Sequence, residues 1–136
     1  MTLSTLSQEL HVARSKRYAL AGLVILGWED AKYYVKAAEE ISCPIILQVG
    51  PKCRENTPIE IIGPMLKNLA EDSSINIVTL LDHSNNLEEC KKALDSGFSS
   101  IMFDGSKMEF NKNIDMTCKA VELSKSYGAS VEAELG

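Results

Sequence analysis

Apolar residues along this chain fall into two alternating kinds of stretch, short continuous runs and longer runs with three- and four-residue spacing. Leu3, Leu6, Leu10 and Ala13 recur at helical steps, so residues 3–16 predict an amphipathic helix. Residues 18–26 are apolar and predict a strand. Residues 29–41 predict a helix with Ala31, Tyr34, Val35 and Ala38 on one stripe, and Pro44 marks its exit. Residues 45–49 form a second apolar run, residues 53–58 a loop, and residues 59–71 a further helix. The run 75–81 is short, aliphatic and β-branched, the signature of a central parallel strand covered on both faces. Asn85 or Asn86 is placed to cap a helix through Asp95, with Gly97 as its terminator. Residues 98–103 predict a fourth strand, Asn111 or Asn113 opens a helix to Tyr127, Gly128 ends it, and residues 129–135 predict a fifth strand.

Strand and helix in strict alternation specify a parallel sheet with right-handed crossovers. At 136 residues the chain reads as a single domain over 1–136. Two α/β architectures fit five parallel strands. One is an open flavodoxin-type sheet; the other is the N-terminal part of a (β/α)8 TIM-type barrel, whose full form needs about 250 residues. Strand phase favours the barrel. Gln48 and Gly50, Leu80 and Asp82, Met102 and Asp104, and Glu132 and Glu134 each share a face of their strand, so a barrel gathers their polar groups at the top of one lumen. An open sheet would press Glu132 against a helix, where a carboxylate is hard to house.

Bulk properties narrow the function. A net charge of −5 argues against sequence-independent nucleic-acid binding. No apolar stretch approaches a membrane span, and the start lacks the basic and apolar regions of a secretory signal. Cys43, Cys53, Cys90 and Cys118 form no CxxC pair and read as free thiols of a reducing, cytoplasmic setting. The chemistry concentrates at Asp82-His83, an acid and an imidazole at the carboxyl end of a buried strand, where α/β proteins place their reactive groups. His11 reads as solvated surface, Trp28 and Phe103 as packing residues, Gln48 as a lumen hydrogen-bonder and Glu39-Glu40 as a wet helix face.

The blocks Val78-Thr79-Leu80-Leu81-Asp82-His83, Leu87-Glu88-Glu89-Cys90, Ala93 to Ser106 and Ser130 to Gly136, in this order, resemble the class II, metal-dependent fructose- and tagatose-bisphosphate aldolases. The resemblance implies a barrel in which a divalent cation, usually zinc, held by three histidines, polarises a ketose carbonyl. It implies reversible aldol cleavage of a phosphorylated ketose to dihydroxyacetone phosphate and an aldehyde. Carried over, Asp82 is the general acid/base at the C4 hydroxyl, His83 is a metal ligand, and Asp104 and Glu134 are acidic groups at the metal. Departures accompany it. His83 is the only histidine at a ligand position, and the family's other ligands and its phosphate loops fall beyond the equivalent of Gly136. Val24 replaces an asparagine and Gly50 a serine. The chain as it stands is therefore expected to lack activity alone, and to form a homo-oligomer or pair with the complementary half of the barrel. A scaffold that has lost catalysis is the alternative.

Overall fold

A computed structural model describes residues 2–136. Six strands, β1 (Leu3–Ser4), β2 (Ala21–Val24), β3 (Ile45–Val49), β4 (Ile77–Ser84), β5 (Ser100–Phe103) and β6 (Ser130–Ala133), form one sheet. Six helices accompany them: α1 (Leu6–Lys16), α2 (Trp28–Glu40), α3 (Pro51–Asn56), α4 (Ile59–Asp72), α5 (Leu87–Asp95) and α6 (Phe110–Lys125). Every strand pairing is parallel, and the main path runs β2-β3-β4-β5-β6 in chain order. A flavodoxin-type sheet reverses its strand order at a switch point. Here the order never reverses, which is how a barrel wall is wound.

The two faces of the wall match the phase read from the sequence. Outward residues Ile45, Leu47, Val49, Ile77, Leu81, Ile101 and Phe103 pack with Val35, Ile62, Leu66, Cys90 and Ala120 of the helices in the main core. Inward residues Ile46, Val78, Leu80 and Met102 form a second cluster closed by Leu6 of α1. The first helix thus plugs the lower end of the concave face. Its first two amides donate to strand hydroxyls, Leu6 N to Ser100 Oγ at 2.9 Å and Ser7 N to Ser130 Oγ at 3.0 Å.

Several boundaries differ from expectation, each for a local reason. The helix expected from Leu3 starts only at Leu6. Thr5 caps it in a capping box with Gln8, and Leu3–Ser4 pair with Ile77 and Val78 in the lane that β5 occupies higher up. Residues 53–58, expected as a loop, lie mostly in α3, which Pro51 opens at its first turn. The last helix begins at Phe110 under a Glu109 cap. Asn113 is buried instead, with Nδ2 donating to the Glu134 carbonyl at 2.8 Å. Glu39 is not a simple wet face, because it accepts from Ser73 Oγ and Ser74 N, each at 2.8 Å, tying α2 to the turn before β4. Gly97 ends α5 with φ of 91°, as expected. Among the described residues, no helix is long and apolar enough to cross a membrane.

Candidate active site

The upper end of β4 carries an irregularity that the sequence does not announce. Leu81 pairs with Ile101, yet the next ladder pair is Ser84 with Phe103, so β4 spends three steps where β5 spends two. His83 is the extra residue, and its φ is 52°. Left-handed backbone at a residue with a Cβ costs about 1–2 kcal/mol and is tolerated where surrounding structure fixes it. A β-bulge re-aims side chains. In a regular strand Asp82 and His83 would face opposite sides; here both serve the concave side.

That displacement brings three strand ends together. His83 Nδ1 lies 2.9 Å from Asp104 Oδ2 and 3.5 Å from Glu134 Oε2. One nitrogen or oxygen from each of His83, Asp104 and Glu134 falls within 4.8 Å of the others. Asp104 follows β5 and Glu134 follows β6, so three consecutive strands each contribute one group. The Asp104 carboxylate also accepts from Ser106 N at 3.0 Å through Oδ1, so this residue builds the turn before Gly105 and faces His83 at once. Gly105 permits the close pass, since a Cβ there would lie 2.0 Å from Asn113 Oδ1.

The electrostatics follow from these contacts. Hydrogen bonds from Ser106, and then from His83, hold the Asp104 carboxyl at about 2. The His83 imidazole is raised, chiefly by its hydrogen bond to Asp104, with the charges of Asp82, Asp104 and Glu134 adding to it. Glu132, half-buried on the same face, is raised by burial first and by the Asp82 charge second. Asp82 itself is 8% exposed. A Cβ on Gly50 would stand 3.5 Å from Asp82 Oδ2, so this position adjoins the carboxylate.

The other residues singled out from the sequence sort clearly. Gln48 lies on the concave face and crowds Gly22, where a Cβ would meet Oε1 at 2.8 Å. Val24 ends β2 on that face, 53% exposed. His11 is exposed on α1 and Phe103 fully buried. Sequence reasoning missed Arg54, which reaches from α3 to the backbone of Asp82 and His83. Its signal was Gly50-Pro51, a helix-start pair that places Arg54 one turn on.

A family model for "Fructose-bisphosphate aldolase class-II" matches residues 4–136. The chain belongs to that family. It is 36% identical over its whole length to a fructose-bisphosphate aldolase of Geobacillus stearothermophilus, covering 48% of that protein. It is 32% identical to a 6-phospho-5-dehydro-2-deoxy-D-gluconate aldolase of Bacillus subtilis, again over its whole length and 48% of that protein. Among solved structures, the YdjI aldolase of Escherichia coli K12 superposes with a TM-score of 0.92 at 31% identity, covering 98% of this chain and 51% of that one. The chain thus spans about half the length of the relatives it matches, and its fold is a partial aldolase barrel.

Proposed function

We propose that this chain carries the acid/base carboxylate and part of the cation site of a class II aldolase acting on a phosphorylated ketose. The observation that supports this most is the meeting of His83, Asp104 and Glu134 beside Asp82 at the carboxyl ends of consecutive barrel strands. An imidazole with two carboxylates suits zinc or a similar divalent cation, and the gathering of three such groups within one cation's reach is the fit such an ion requires. His83, Asp104 and Glu134 would hold it. The chemistry a bound cation supplies is Lewis-acid polarisation of the substrate carbonyl.

Asp82 is the base in this reading. Its carboxylate takes the proton of the C4 hydroxyl as the C3–C4 bond breaks, the C4 carbon leaves as an aldehyde, and the bonding pair moves toward the C2 carbonyl. C3 of the dihydroxyacetone phosphate fragment, having lost its bond to C4, then takes up one proton, which balances the one Asp82 removed. Burial of Asp82 under the strand ends keeps bulk water from competing for that proton. Glu132, whose carboxyl burial and the Asp82 charge push upward, lies on the same face.

One imidazole and two acids fall short of the family's three-histidine site, so the chain alone is expected to be inactive. The assay is cleavage of fructose or tagatose bisphosphate with added zinc. No turnover by the isolated chain, and EDTA-sensitive turnover once a complementary second half-barrel is supplied, is the expected pattern. Robust EDTA-sensitive turnover by the chain alone would refute the first part. A second reading, a scaffold that has lost catalysis, draws on Val24 and Gly50, which remove two polar side chains from the concave face. It requires the completed barrel to carry no stoichiometric metal.

A further inference from the structure

The bulge in β4 breaks the regular ladder toward β5, leaving backbone carbonyls at the strand end that need donors. Arg54 supplies them. Its Nη1 donates to the carbonyls of Val49 and Asp82, both at 2.7 Å. Nη2 donates to the His83 carbonyl at 3.1 Å and reaches Glu89 Oε2 at 3.4 Å, while Nε donates to Glu89 Oε1 at 3.0 Å. A guanidinium offers five N–H donors in a fixed plane. Each of the five has an acceptor here, and the side chain is only 11% exposed. The fork therefore joins three elements: the end of β3, the bulge of β4 and, through Glu89, α5.

We propose that Arg54 is a positioning residue of this site, fixing the bulged backbone of Asp82 and His83 so that acid and imidazole share the concave face. Its catalytic meaning rests on the function proposed above. Arg54 itself contacts carbonyls rather than the Asp82 or His83 side chains, so it acts through their backbone. A lysine would keep the charge but not the planar fork, and a single ammonium cannot serve three carbonyls and a carboxylate from one point.

The test reads geometry without turnover, so a completed barrel that lacked turnover would sink the functional reading and leave this one standing. The chain has two histidines, so a His11→Gln background assigns the ring nitrogens of His83 in ¹⁵N spectra. These are recorded on the full chain, in the assembly in which it purifies, in EDTA at fixed pH. In Arg54→Lys the His83 Nδ1 signal is expected to leave its hydrogen-bonded position and move toward the wild-type signal of exposed His11. Val35→Ala, a destabilising change in the outer core, should leave it in place. A folded Arg54→Lys chain with unchanged His83 signals, or an equal shift in Val35→Ala, overturns the proposal. Where Arg54→Lys fails to fold, Glu89→Gln decides, because it keeps the fork and weakens its anchor. A smaller shift in the same direction supports the assignment, and none overturns it.

Discussion

At the scale of single residues, the His83–Asp104 contact makes a signed prediction about pH. Asp104 is held at about 2 against an ordinary 3.8, so its share of stability is present above 3.8 and lost as pH falls toward 2. His83 is raised above 6.5, so its share is complete below 6.5 and lost as pH rises through the higher folded value. For Asp104 the largest cause is the hydrogen bond from Ser106, with His83 second. The share the two groups have in common is one ion pair whose imidazole is 46% exposed, which limits that share to about 0.2–1 kcal/mol. Thermal unfolding of the metal-free chain across pH, compared with Asp104→Asn, should show the wild-type advantage greatest between about pH 4 and 6.5, lost as pH falls toward 2 and reduced as pH rises through the raised His83 value. Asp82 makes a kinetic prediction. In a barrel completed by its second half, Asp82→Asn should lower turnover about 10²- to 10⁴-fold while leaving the unfolding midpoint nearly unchanged. The sequence made these residues visible, because Asp82, Asp104, Glu132 and Glu134 stand at strand ends in matching phase. It left Arg54 hidden, because nothing in a residue's type tells that its donors will meet carbonyls from two strands.

Among the elements, the core of every main strand was legible from continuous aliphatic runs, and the inward and outward rows followed from their period of two. The bulge was not. One extra residue in β4 leaves no compositional trace, since His83 adopts positive φ without glycine's help and is held by contacts distant in sequence. The two-residue β1 was equally silent, as Leu3–Ser4 belong to the sheet only through pairing with Ile77 and Val78. Helix packing offers a test in which propensity and contact disagree. Gly63 lies inside α4, where alanine would gain about 1 kcal/mol of helix propensity. A Cβ there would meet the Ser96 Cβ and carbonyl oxygen, each at 2.7 Å, and the carbonyl belongs to the backbone ending α5. Overpacking of this kind costs about 1–3 kcal/mol. Gly63→Ala should therefore destabilise the chain in urea, and a stabilised variant would show that α4 and α5 can part freely.

Taken whole, the molecule is a barrel wall with two open sides. β2 and β6 end the sheet path, so each has one edge without a strand neighbour among the described residues. Apolar side chains gather near these edges, with Val24 53%, Leu26 59% and Leu135 74% exposed. Unpaired edges beside apolar surface favour association. Sedimentation of the purified chain is expected to show self-association, or a complex once a complementary half-barrel is present; a monomer that unfolds cooperatively at all concentrations would count against this. The account as a whole depends on three strand ends making one cation pocket. Equilibrium dialysis of the metal-stripped chain against zinc tests that most directly. Wild type should bind a single ion per chain, and Asp104→Asn and Glu134→Gln should each weaken binding by about 10- to 100-fold. No binding by wild type, or equal binding by all three proteins, would contradict it.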